Sequence, residues 1–105
     1  MKVVVLDEAE RDLDDGYWFY ENQQEGVGSY FLTRILSDLD SLLRYAGIHQ
    51  VWFGKYHRML SRRFPFGIYY TVAGSEIRVH AVLDMRQNPA SIRQRLQQGI
   101  RRERE

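Results

Sequence analysis

The feature that most limits what this chain can become is a change of hydrophobic period part-way along it. From Ala9 to Ala46 apolar residues recur every three or four positions, and from Phe66 to Leu83 they recur at every second position. The first spacing builds one face of a helix and the second builds a strand with one buried face. Neither pattern buries itself alone, so the chain must lay helices on a sheet.

The helical stretch divides in two. Asp7 followed by Glu10 reads as an N-cap with a reaching-back carboxylate, and Ala9, Leu13, Gly16, Tyr17 and Tyr20 then form a stripe, predicting a helix that ends near Gln24. Glycines at 26 and 28 break it. A second stripe follows at Gly28, Leu32, Ile35, Leu39, Leu42 and Ala46, reinforced by Phe31, Leu36 and Leu43, with Gly47 placed to stop the helix. These are two antiparallel helices in a hairpin.

The sheet surrounds them in sequence. Lys2–Leu6 is rich in β-branched residues and reads as a first strand. Residues 56–64 form a strand stopped by Pro65, Phe66–Val72 the next, and Ile77–Leu83 the last, with a Gly-containing turn at Ala73–Glu76. Strict alternation puts Phe66, Ile68, Tyr70 and Val72 on the helix-facing side with Ile77, Val79, Ala81 and Leu83, and turns Tyr69, Thr71, Arg78, His80 and Val82 to solvent. Asn88-Pro89 opens a short last helix, Asn as cap and Pro at the first helical position. The expected fold is α+β: an N-terminal strand, an antiparallel helical hairpin on a mostly antiparallel four-stranded sheet, and a short C-terminal helix. The domain spans 1–97, and 98–105 is a charged, mobile tail.

The 105 residues suit one domain, and 44% hydrophobic with 28% charged residues is a globular balance. The absence of cysteine removes disulfides, thiolate metal sites and cysteine nucleophiles. The N-terminal apolar run is too short for a signal peptide and nothing approaches a membrane span, so a cytoplasmic, membrane-free protein is expected. Residues 1–50 set four cations against ten carboxylates, a net −6, while residues 51–105 set eleven against four, a net +7, and ten of those eleven are Arg. Such a split marks a surface for nucleic acid or an acidic partner, or else an acidic helical half beside a basic sheet with no anionic ligand.

The solvent-facing side of the sheet gathers the candidate chemistry: Tyr69, Arg78 and His80, Arg86 just beyond the last strand, and, from the strand over 56–64, either Arg58 with Arg62 or Arg63. Cations, an imidazole and a phenol are what RNA cleavage requires, to stabilise the phosphorane-like charge and to move protons. An open sheet face is ordinarily polar as well, so composition alone does not define a site. His49, His57 and His80 are too scattered for a metal site, and Gly26-Val27-Gly28 is no phosphate loop, so neither metal nor cofactor is expected. Asp84 is the one acid near the patch and is placed to pair with Arg86. Trp18 and Trp52 read as packing residues, yet one helix cannot bury all of Tyr17, Trp18, Phe19 and Tyr20. Some must be exposed, on a partner-binding or homodimer surface.

Arg63-Phe64-Pro65-Phe66-Gly67-Ile68-Tyr69-Tyr70, then a Gly-turn, then Ile77-Arg78-Val79-His80-Ala81-Val82-Leu83 and Asn88-Pro89, resembles the RelE/ParE toxin superfamily, nearest its ParE-like branch. The resemblance covers nearly all of residues 1–97. It implies a plasmid-stabilisation type toxin of a type II toxin–antitoxin module, neutralised by a cognate antitoxin that buries its basic surface, the two forming a hetero-oligomer. ParE-like members inhibit DNA gyrase without nuclease chemistry, and RelE-like members cut mRNA on the ribosome. The chain departs from both patterns. Asp84 stands where the ParE-like branch often has His and Gln87 where it often has Arg, while the last helix lacks the Tyr of the RNases. The candidates for target or antitoxin binding are the patch residues Arg58, Arg62, Arg63, Tyr69, Arg78, His80 and Arg86. Were the chain a nuclease, catalysis would fall to Arg58, Arg62, Arg78, His80 and Arg86. A relative that keeps the fold and has lost toxicity is the third reading.

Overall fold

The computed structural model of the chain describes residues 1–46, 51–52 and 55–104, with side chains as far as Gly99 and excepting those of 51 and 52. Its elements are β1 (Lys2–Val5), α1 (Asp7–Glu21), α2 (Val27–Tyr45), β2 (Val51–Trp52), β3 (Tyr56–Leu60), β4 (Phe66–Ala73), β5 (Glu76–Asp84) and α3 (Pro89–Arg104). The strands form one sheet in the order β1-β5-β4-β3-β2. The four expected strands are all present, joined by the two-residue β2 on the β3 edge. β1 runs parallel to β5 and every other pair is antiparallel.

Local chemistry explains the element ends, with some departures from the sequence-based expectation. Leu6 rather than Asp7 caps α1, in extended conformation and without a side-chain bond. Asp7, Glu8 and Glu10 lie inside the first turn, where their charge suits the helix dipole. α1 ends at Glu21, short of Gln24, because that carboxylate turns to the start of α2, accepting the Gly26 amide at 3.0 Å and the Gly28 amide at 2.9 Å. Gly26 itself holds φ 91°, a left-handed conformation that glycine adopts without strain. β3 stops at Leu60 rather than 64. Gly74, at φ 60°, makes the β4–β5 turn. Asn88 caps α3 as expected, its side-chain oxygen accepting the Ala90 amide at 2.8 Å. α3 is not short: it continues to Arg104, through most of the expected tail. Gly47 as helix stop, His49, the side chain of Trp52 and Glu105 lie outside the described residues.

The largest departure is a β-bulge. Tyr69 pairs with Ala81, but the next residue of β4, Tyr70, pairs with Val79, leaving His80 as the extra residue. Side-chain parity flips there. Phe66, Ile68, Tyr70, Ile77, Val79 and Val82 share the core under α1 and α2 with Phe31, Ile35, Leu39 and Leu42. Ala81 and Leu83 turn to the opposite face, where with Tyr56 and Tyr69 they form a second core beneath Ile92 and Leu96 of α3. Val82 thus takes the place expected of Ala81 and Leu83, and Val72, near the hairpin tip, is 41% exposed. The sheet is covered on both faces.

Two glycines let α1 and α2 touch. A Cβ on Gly16 would stand 2.6 Å from the Phe31 ring, and one on Gly28 would stand 2.6 Å from the Tyr17 carbonyl oxygen. Gly28→Ala should therefore lower stability by about 1–3 kcal/mol through forced separation of packed helices. The measure is the midpoint of urea denaturation, and an unchanged midpoint would mean the backbones do not approach this closely.

Candidate functional site

The bulge, and α3 above it, decide where each candidate side chain goes. Arg58 pairs in register with Tyr69 and Thr71 with Arg78, so these four share the α3 face. That face is not open to solvent as alternation alone predicted. Tyr69 is buried and its hydroxyl reaches Met85 Sδ at 3.3 Å. Burial pushes the phenol pKa up, opposed by the neighbouring Arg58 guanidinium. His80 lies between β4 and α3, with Nε2 2.8 Å from Thr71 Oγ1 and its ring edge-on to Tyr56 at 5.1 Å. Desolvation, with the Lys55 and Arg78 charges, lowers its pKa to about 4. At neutral pH the imidazole is uncharged, so it adds no cation to the face, and so acidic a conjugate acid makes a weak base.

Arg78, on the same face, and Arg86, beyond β5, are held by carboxylates. Arg78 bonds Glu76 at 3.1 Å. Arg86 forks onto Asp84, Nε to Oδ1 at 3.0 Å and Nη2 to Oδ2 at 2.8 Å, the pairing the sequence anticipated. That guanidinium holds the Asp84 carboxyl below its usual pKa. Arg62 and Arg63 stand exposed in the segment between β3 and β4, on no strand face. The expected single patch is thus divided: a buried group under α3, Arg78 held by Glu76 at the exposed end of the same face, a neutralised corner at 84–86 and, joined to it by the Met85 amide donating to the Pro65 carbonyl at 2.7 Å, a basic loop at 61–65.

Sequence reasoning missed the ion pair that joins the two helical layers. Arg95 of α3 forks onto Asp12 of α1, with both contacts at 2.8 Å, and reaches Glu8 at 3.3 Å. Asp12 Oδ2 also accepts the Val82 amide at 3.0 Å. Burial raises the Asp12 pKa in spite of Arg95 and that amide. One signal was available: Asp12 immediately precedes buried Leu13, and Arg95 immediately precedes buried Leu96, so both flank an apolar stripe. Beside the pair is a cavity of about 200 Å³ lined by Leu6, Glu8, Tyr56, His80, Arg95 and Leu96. Its arginine is already committed and its imidazole is neutral, so at neutral pH it provides packing space rather than a charged pair for proton transfer.

α1 leaves Trp18 53% and Phe19 51% exposed, as four successive aromatics required. No helix among the described residues is long and apolar enough to cross a membrane.

No family model and no curated protein matches the chain. Among solved structures it is similar to a chain of the "Chromosomal ParDE TA system from P. aeruginosa", with a TM-score of 0.73 and 20% sequence identity. The alignment covers 78% of this chain and 92% of that one. The strand, helical hairpin, antiparallel sheet and C-terminal helix are therefore a ParE-like arrangement, as the sequence resemblance implied.

Two predictions follow from the buried group. Arg95→Met strands the Asp12 carboxylate and should cost about 3 kcal/mol, part of it recovered in the Asp12→Asn/Arg95→Met double variant. A loss within about 0.5 kcal/mol, the range of ordinary surface substitutions, would make the pair a surface contact. His80, with a folded pKa of about 4 against an ordinary 6.5, contributes stability that is present above pH 6.5 and lost as the pH falls towards 4. Wild type should lose its advantage over His80→Gln across that window. A constant difference would mean that the imidazole is not desolvated.

Proposed function

We propose that this chain is the toxin of a type II toxin–antitoxin module, ParE-like, acting in the cytoplasm as a non-enzymatic inhibitor of DNA gyrase and held inactive by a cognate antitoxin. The observation that carries the reading is the fold: the chain aligns with 92% of a chain from a ParDE TA system. The motif around Phe64-Pro65-Phe66 supports the same branch.

The side chains favour inhibition over mRNA cleavage. A ribosome-dependent nuclease needs a base and an acid at the scissile phosphate with free cations around it. Here Tyr69 is buried on Met85, His80 is neutral under α3, and Arg78 and Arg86 each have a carboxylate. The Asp84–Arg86 fork also keeps alive the reading of a non-toxic relative, since a carboxylate occupies a position where the ParE-like branch often carries His. An antitoxin segment that covers exposed Trp18 and Phe19 would bury the largest aromatic side chains α1 leaves in water.

Induced expression in a bacterial host separates the readings. Filamentous growth arrest with continuing translation, and loss of supercoiling by gyrase treated with purified protein, are the expected results. An immediate halt of protein synthesis with codon-phased mRNA cuts, abolished by Arg78→Ala, would replace gyrase inhibition with the RelE-like activity. Undisturbed growth and unaffected gyrase would leave the non-toxic relative.

A further inference from the structure

Three arginines of the described structure, Arg34, Arg62 and Arg63, lie off the sheet face. Lys2, Arg78, Arg86 and Arg95 are each held by a carboxylate. The fold brings Arg34, Arg62 and Arg63 to one corner. Tyr30, Arg34 and Asp38 succeed one another at single-turn spacing along α2, so they line one side of that helix. The segment 61–64 crosses this side and is pinned at both ends: Ser61 Oγ donates to Asp38 Oδ2 at 2.7 Å, and the Phe64 ring packs 5.6 Å from the Tyr30 ring. Arg34 lies between the two anchors, and Arg62 and Arg63 lie on the chain between them. The Nε of Arg34 is buried and has no hydrogen-bond partner. Tyr30 remains 47% exposed beside them.

We infer that this corner binds single-stranded nucleic acid, with the Arg34, Arg62 and Arg63 guanidinium groups on phosphates and the Tyr30 ring under a base. Three like charges repel one another, and the forked donors of arginine match phosphate oxygens. An acidic protein segment would satisfy the arginines equally well but would leave the exposed ring without a purpose. A base with its own π-face uses both features, as single-strand binding surfaces do. The adjacent acid, Asp38, accepts the Ser61 hydroxyl. The inference goes beyond the toxin reading and does not rest on it, since it concerns a surface away from α3 and makes no claim about gyrase.

The test is fluorescence anisotropy of the full chain with labelled 20-nucleotide oligothymidine, oligouridine and a DNA duplex of equal length, with oligoglutamate as competitor. Binding of the single strands should weaken about twentyfold between 50 and 200 mM salt, the dependence of about three phosphate contacts. The Arg62→Ala/Arg63→Ala variant, which removes two exposed side chains, should flatten that dependence and lose at least tenfold in affinity at 50 mM salt. Tyr30→Ala should lose about tenfold by removing one stacked base. Arg11→Ala, on the acidic α1, is the control and should bind as wild type does. No binding at 50 mM salt, or equal binding by the double variant, would overturn the site. Duplex binding as tight as single-strand binding, or no effect of Tyr30→Ala, would overturn the stacking assignment. Displacement by oligoglutamate at equal charge would overturn nucleic acid in favour of an acidic protein segment.

Discussion

β5 is nine residues long and β1 only four, so beyond Val79 one edge of β5 has no strand beside it. Peptide groups left there, under two layers of helix, would be costly to bury unpaired. Asp12 from α1 takes the Val82 amide, and Arg95 from α3 neutralises Asp12 while approaching the His80 carbonyl at 3.4 Å. Two side chains thus continue the edge where β1 stops. The same pair fastens α1 to α3 across the end of the sheet, which fixes how α3 lies and encloses the bulged His80. Burying the ions costs solvation, as the raised Asp12 pKa records, and the fork geometry with the accepted amide offsets it.

The second dependence is on close backbone approach. Gly16 under Phe31 and Gly28 over the Tyr17 carbonyl bring α1 and α2 together, and the Glu21 carboxylate closes the turn between them. Tyr20 and Phe31 from this hairpin meet Phe64 and Phe66 with ring centroids 4.9–6.3 Å apart. The segment between β3 and β4 is therefore held against α2 by aromatic packing, and Arg62 and Arg63 are displayed rather than buried.

Most of the architecture was legible in the residues because it rests on periodicity and turn chemistry. The stripe from Gly28 to Ala46, the glycine at 74 and the Asn88-Pro89 start of α3 each act locally, and each has its expected consequence. The bulge was not legible: the apolar run Ala81-Val82-Leu83 breaks the alternation, but it does not place an extra residue, which is defined only by its register against β4. With that flip went the facing of Ala81, Val82 and Leu83. α3 hid the rest. A helix with one apolar residue per turn, Ile92 and Leu96, among arginines reads as solvated, yet it covers the face that alternation left open. Side-chain identity proved a good guide to which residues carry charge and a poor one to which charges stay free. Glu76, Asp84 and Asp12 each neutralise an arginine, two within a couple of residues and one across the whole chain.

The parallel pairing of β1 with β5 has a consequence for how the protein is made. Lys2–Val5 leave the ribosome well before their partners, residues 76–79. At about 5–20 residues per second the leading strand waits roughly 4–15 s for its neighbour to be synthesised. The helical hairpin, whose contacts are close in sequence, is complete long before then. In the interval its apolar face and the β-branched Val3-Val4-Val5 have only each other to cover them, so the nascent chain passes through a stage in which a sticky strand rides on a half-covered hairpin. Whatever shields that stage in the cell acts before the sheet exists.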